Sequence, residues 1–435
     1  YHIIGGLVLL AGILLHVKET GSTAVTFIGL TDGNLSSWLI FIGVGINCAW
    51  PILHPWVTDA YPESTITGII FLSALTTKSA VYVLARAYPG TSLLIWIGAA
   101  MACFAMVYAV IENDLRRVLS YSLINQVGFM VCGIGIGTEL AINGAVSHAV
   151  NDILFKALLF MSIGAVMYRT GKSKCTELGG LYRTMPLTCV FCIIGAASIS
   201  GFPLFSAFVS KSMIISAAAH GGMVLLWFLL MFASTGVLEH AGIKVPFFAF
   251  FSHDSGLRPR EAPMNMLIAM GIAAFFCIFN GAFPGPLYSL MPFPVTYEPY
   301  TVPHVLGQTL LLLFASLAFV LLLMSGLYPA EMRAVNLDAD WFFRKGSRAV
   351  VTVVTTVFAF VAKAGESLFI RFLPSRLSAF TREPVTRLAE TFSASKTSGE
   401  ERGRLDHLTI IPSGVPVILA VAFLYVLAFY FIVKG

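Results

Sequence analysis

Three ionisable side chains lie at four-residue intervals in a stretch otherwise dominated by apolar residues: His148, Asp152 and Lys156 in "HAVNDILFKALLF". On a helix this spacing puts them along one stripe. At bilayer depth such groups are costly, usually face a bundle interior, and mark proton or ion routes. Histidine exchanges a proton near neutral pH, and a desolvated lysine alternates between amine and ammonium. A lone Asp152–Lys156 salt bridge that only fixes packing is the plainer account of one pair. Three groups in a row, with more lysines in other apolar runs, favour a relay. Those lysines are Lys78 in "FLSALTTKSAVYVLAR" and Lys211 in "FPLFSAFVSKSMII". Either one alone fits a side chain snorkelling to the interface; together with the stripe they form the string that lateral proton hopping requires. Glu239 and His240 fall near the end of a span and are expected to face water.

The elements that must hold these residues follow from composition. The chain has 435 residues, of which 57% are hydrophobic and only 11% charged, with a mean hydropathy of +0.85. A soluble domain carries about a quarter charged residues, so this chain has too few to coat a water-facing surface. Repeated apolar runs near bilayer length make it an all-α polytopic membrane protein; the alternating segments of a β-barrel are absent. Candidate spans are 1–16, 38–54, 66–86, 93–111, 118–137, 141–168, 186–219, 223–243, 264–283, 304–328 and 413–433. The loop after the sixth span holds Arg169, Lys172, Lys174 and Arg183 against Glu177, which marks it as cytoplasmic. Alternation then puts "ENDLRR" (112–117), 244–263 and 329–412 inside, and the 284–303 loop, which lacks Lys and Arg, outside.

Two spans read as broken, one at Pro51 and one at Gly201 and Pro203. Proline removes a helical hydrogen bond, and lipid tolerates such breaks only where protein or a cavity satisfies the freed backbone. Paired breaks in two halves of a transporter point at the ion path. Residues 338–372 read as an amphipathic helix lying along the membrane or against other spans, with a true crossing as the alternative, followed by a solvated linker. The seven cysteines fall mostly in apolar runs; "CVFC" (189–192) has no second pair or histidine partner, so packing is expected rather than a metal or redox site. The opening "YHIIGGLVLLAGILLH" lacks the marks of a signal peptide, and the natural beginning is expected to lie further upstream.

The motifs "HPWVTDAYPE", "KSAVYVLAR", "DLRRVLSYSLINQVGFM", "HAVNDILFKALLFMSIGAVMYRTG" and "SGFPLFSAFVSK" resemble the proton-conducting antiporter family. That family includes Mrp-type sodium/proton antiporter subunits and the antiporter-like subunits of respiratory complex I and membrane hydrogenases. The stretches "PMNMLIAMGIAAFFCIFNGAFPGPLYSLMPF" and "NLDADWFFRK" are most similar to the D-type subunits of Mrp antiporters. The resemblance implies inverted repeats, each with a broken helix: 1–86 as the remainder of the first, 93–243 as the second, 264–328 as additional spans, 329–412 as a cytoplasmic-side helix and linker, and 413–435 as a last span. By motif it makes Lys78 the connecting lysine of the first half, His148 and Lys156 the histidine and lysine of the second half's central helix, and Lys211 the exit-side lysine. Two positions depart from the pattern. Asn47 stands where relatives carry a lysine, with His54 a weak substitute beyond Pro51, and Asp152 stands where relatives often carry a second histidine.

The function implied is a proton-translocating subunit of a multisubunit cation/proton antiporter in a prokaryotic cytoplasmic membrane, working with other membrane subunits and protons, with Na+ as a candidate second ion. The alternative is a proton-pumping membrane-arm subunit of a redox complex. The chain shows no cofactor motif, so any flavin or iron–sulfur centre would belong to partners; no nucleic-acid partner is expected.

Overall fold

The structure, a computed structural model, describes residues 1–30, 34–328, 331–332, 334, 336–367 and 372–373. The expected last span, 413–433, and the linker before it lie outside the described residues. The chain divides at Trp341 into two compact units, described separately below.

The first unit is a helical bundle: α1 His2–Thr20, α2 Leu35–Asn47, α3 Pro55–Glu63, α4 Gly68–Ala87, α5 Ser92–Ile111, α6 Leu115–Ile136, α7 Glu139–Thr170, α8 Pro186–Ser200, α9 Ser206–His220, α10 Val224–Phe251, α11 Met264–Ala282 and α12 Val302–Met324. Among the described residues nine helices are long and apolar enough to cross a membrane by length and composition. Sequence signals set several ends: the Asp114 carboxylate caps the amides of Arg116 and Arg117, the Thr138 hydroxyl caps Ala141, and Gly137 and Gly171 stop α6 and α7 in left-handed conformations.

Hydrogen bonds sort the loops into two ends. At one, Ser173 O accepts from the Leu115 amide, Asn113 O accepts from the Cys175 amide, and Arg169 donates to Glu261 O; this gathers 112–117, 169–185 and the loop before α11. At the other, Ile134 O accepts from the Gly90 amide and the Phe293 amide donates to Asn143. The bundle therefore alternates in direction as the loop charges require.

α6 and α7 form the centre. Nearly all of α6 is buried, polar residues included, whereas α1 and α12 bury few side chains. A helix apolar all round and exposed on most of its surface is what a bilayer-facing rim requires.

Both expected breaks are present. α2 stops at Asn47 and α3 resumes at Pro55; α8 stops at Ser200 and α9 resumes at Ser206. Among the described non-glycine residues only Ala49 (φ 60°), Ile52 (φ 72°) and Leu204 (φ 73°) take a left-handed conformation, and all three lie in the breaks. Each such residue stores about 1–2 kcal/mol. The freed backbone is satisfied by side chains, as lipid demands. Ile46 O accepts from Trp56 Nε1 and Gly201 O from Gln308, while the Leu204 amide donates to the Tyr300 hydroxyl.

One expectation fails. The span starting at 223 does not end at 243 but runs on through two π-helical turns, Leu238–Ile243 and Phe247–Phe251. Lys244, read as the start of a basic loop, is buried inside this helix.

The second unit begins at Phe342. α13, Asp340–Gly365, is one continuous helix without a buried side chain, spanning most of the stretch expected to be helical.

Candidate functional site

α4, α7 and α9 bring the sequence-derived residues into the bundle interior. Lys78, His148, Asp152, Lys156 and Lys211 are all buried, although α7 alone carries three of them. Asp152 does not pair with Lys156, its neighbour one turn away. Its Oδ2 forms an ion pair with Lys78 across from α4, and Lys78 Nζ also donates to Ser73 O at 2.9 Å. Lys156 is left with a long approach to Leu119 O, 3.5 Å. The plainer alternative, an Asp152–Lys156 salt bridge within α7, is therefore not what forms: the carboxylate bridges α7 to α4 instead.

His148 is held on both sides. Its Nδ1 lies 3.0 Å from Ser210 Oγ on α9 and its Nε2 lies 3.1 Å from Gln126 Oε1 on α6. Gln126 Nε2 donates to Asn125 Oδ1 at 2.6 Å, and Asn125 Nδ2 donates to Ala102 O at 2.6 Å. Lys211 Nζ donates to Ile199 O at 3.1 Å, one of the carbonyls freed at the end of α8, and lies 5.1 Å from the centre of the Phe129 ring. A cavity of about 460 Å³ reaches Lys211 and is lined by Ser212, Tyr297, Glu298, His304 and Gln308. It connects the lysine with the end of the bundle opposite 112–117.

The first break is different. Asn47, half-buried, has its Oδ1 3.2 Å from His2 Nδ1. His54 is buried, and its Nε2 meets the Asp338 carboxylate at 3.0 and 3.1 Å, where the Tyr121 hydroxyl also donates at 2.5 Å. Burial alone would raise the Asp338 carboxyl; the hydrogen bonds from His54 and Tyr121 outweigh it and hold the group below the usual carboxylate range. Asp338 belongs to a short strap, residues 336–339, held at the 112–117 end. Within it Asn336 donates to Glu112, and Leu337 O accepts from the Tyr108 hydroxyl.

Sequence reasoning missed three groups. His240 does not face water but is fully buried. Lys244 donates to Val110 O and Glu112 O, each at 2.6 Å, and pairs with Glu331 at 2.8 Å. Gln126 and Asn125 orient His148. A signal existed for Lys244: it follows His240 by four residues inside the apolar run "VLEHAGIKVPFFAFF". For Glu331, far along the chain, there was none. Among the described residues no cluster of metal-ligating side chains occurs.

The family model for the transmembrane region of NADH:quinone oxidoreductase and Mrp antiporter proteins matches residues 1–237. The L subunit of the F(420)H(2) dehydrogenase of Methanosarcina mazei is 31% identical over 293 residues, 62% of this chain and 44% of the relative. The N subunit of the NADH-quinone oxidoreductase of Desulforudis audaxviator is 33% identical over 197 residues, 42% of this chain and 39% of the relative. A protein of Rhizobium meliloti, named as the A/B component of a probable K(+)/H(+) antiporter, is 29% identical over 304 residues, 64% of this chain and 30% of the relative. The match thus spans less than half the length of these curated relatives. Among solved structures, a chain of the Mrp complex from Dietzia sp. DQ12-45-1b superposes with a TM-score of 0.61 at 21% identity, covering 66% of this chain and 64% of that one, a likeness of fold. A chain of the membrane-bound sulfane sulfur reductase, an archaeal respiratory membrane complex, gives 0.58 at 25% identity, covering 73% and 66%. A bundle with two broken helices and a buried lysine–histidine row, matched over more than half its length, belongs to the NADH:quinone oxidoreductase/Mrp antiporter transmembrane family.

Proposed function

We propose that this chain is a proton-translocating subunit of a multisubunit cation/proton antiporter in a prokaryotic cytoplasmic membrane, and that protons move through it along Lys78, Asp152, His148, Lys156 and Lys211. The observation that carries the reading is the row of buried ionisable groups on α4, α7 and α9, with a cavity at its Lys211 end. In this reading the Lys78–Asp152 pair joins the repeats, His148 and Lys156 exchange protons at mid-depth, and Lys211 releases them toward the cavity. Other membrane subunits complete the complex, and the ion exchanged for protons is a cation, with Na+ the candidate that the vesicle experiment tests.

A second reading, a proton-pumping membrane-arm subunit driven by electron transfer in its partners, is favoured by the dehydrogenase and oxidoreductase names among the relatives. Any redox centre then belongs to the partners. Proton flux into vesicles holding the assembled complex separates the two: one responds to a sodium gradient, the other to an electron donor. In either case Lys156→Ala and Lys211→Ala are expected to stop the flux. Undiminished flux in both variants would sink the path.

A further inference from the structure

A second group of buried ionisable side chains lies outside the row. His240 sits in the first π-helical turn of α10, and neither ring nitrogen has a partner at hydrogen-bond distance. Buried polar groups are nearly always paired, so an unpaired imidazole calls for a reason. π-helical turns also concentrate at functional sites.

The turn lies at a junction. It packs against α8, α6, α5 and α12. At Gly242 it presses so closely on the tip of α8 that a Cβ there would meet Ser200 Oγ at 2.3 Å, beside the Ile199 carbonyl that holds Lys211. The charges that act on the His240 ring are Lys156 foremost, then Lys244 and Lys211. One helical turn beyond the ring stands Lys244, fixed by two backbone carbonyls and Glu331 at the 112–117 end. Glu239, adjacent in sequence, is half-buried. Burial pushes the Glu331 carboxyl above the usual range, against the opposing pull of Lys244.

Resting on the function proposed above, we infer that His240 is a proton-transfer residue joining Lys156 to the Lys244–Glu331 cluster, which gives the second half of the molecule its own opening at the 112–117 end. The Glu331 carboxylic acid gives up its proton and becomes a carboxylate beside the Lys244 ammonium. One nitrogen of the neutral His240 ring takes that proton, and the other releases its own to the Lys156 amine, which becomes ammonium. The ring ends neutral, and Glu331 is recharged from water. Lys244 keeps its proton throughout and positions Glu331.

The test uses the whole complex in vesicles, with flux scored per assembled complex for His240→Gln, His240→Ala, Glu331→Gln, Lys156→Ala and Lys211→Ala. His240→Gln is expected to lower flux by about tenfold to a hundredfold. Imidazole supplied at the 112–117 face should restore part of the flux in His240→Ala and none in Lys156→Ala. Glu331→Gln should shift the pH profile of uptake at that same face. Normal flux in His240→Gln alongside a blocked Lys156→Ala overturns the inference and leaves the proposed function standing. Loss in both histidine variants without imidazole rescue and with an unchanged pH profile makes His240 a packing residue and also overturns it. Normal flux in Lys156→Ala together with normal flux in Lys211→Ala removes the proposed path itself.

Discussion

The two broken helices solve one backbone problem and do different things with the solution. Both interrupt an apolar run, both hold left-handed non-glycine residues, and both hand their freed carbonyls to side chains. At the second break the carbonyl of Ile199 receives an ammonium, Lys211, which faces a cavity. At the first, the residue that closes α2 is the amide Asn47, beside His2, and His54, beyond the break, is occupied by Asp338 from the strap. A break creates a polar pocket in lipid; whether it moves charge depends on what fills the pocket. In the proposed path α4 contributes Lys78, which reaches Asp152 on α7, and the first break contributes no group.

The sharpest test of this contrast is a matched pair of substitutions. Lys211→Gln is expected to lower proton flux in vesicles by on the order of a hundredfold, whereas Asn47→Ala should leave it within about twofold, since an amide transfers no proton in the relay. Equal losses at the two positions would end the asymmetry. Next in size is the bridge between α4 and α7. Lys78→Met leaves Asp152 buried without its cation and should destabilise the protein by about 3–5 kcal/mol, read as denaturant unfolding in detergent. Lys78→Met with Asp152→Leu should recover most of that loss, because an apolar pair has nothing to desolvate.

The breaks also differ in how their walls are built. Gly281 presses on the chain beside the second break, where an added Cβ would meet the Phe205 carbonyl carbon at 2.3 Å. At Gly45, beside the first, it would meet the Trp50 ring at 2.3 Å. Backbone cannot yield as a side chain can, so Gly281→Ala should cost about 1–3 kcal/mol and Gly45→Ala less; thermal unfolding of the two variants orders them. The smallest expected effect is Asp338→Asn, which weakens the hold on His54 by about 1 kcal/mol and should raise hydrogen exchange in 336–339. The wild-type carboxyl is held below its ordinary range. Its contribution is therefore full above that range and fades only as pH falls through the lower folded value.

Much of this contrast was legible in the sequence. Pro51, Gly201 and Pro203 announce the breaks because proline and glycine interrupt a helix locally, and the four-residue spacing of His148, Asp152 and Lys156 announces a shared face. What spacing does not announce is which helix that face meets. Asp152 and Lys156 are neighbours along α7, yet the bundle turns the carboxylate toward Lys78 on α4. The end of α10 misled for a related reason. Hydropathy takes a lysine as an exit from the membrane, whereas Lys244 stays buried because Glu331 and two carbonyls, all distant in sequence, wait for it. His240, one turn earlier, was drawn into the same error.

The hydrogen bonds around His148 have a consequence for its tautomer. Ala102 O only accepts, so the Asn125 amide must present its nitrogen there and its oxygen to Gln126. Gln126 in turn must offer its oxygen to Nε2, which therefore carries a hydrogen in every protonation state of the ring. All variation falls on Nδ1. When the ring is neutral, Nδ1 accepts from the Ser210 hydroxyl. When it is cationic, Nδ1 donates, and the hydroxyl swings its hydrogen to Ser206 O, 3.3 Å away at the start of α9. A single O–H rotor thus registers the charge of the central histidine and writes it onto the backbone of the broken helix that carries Lys211.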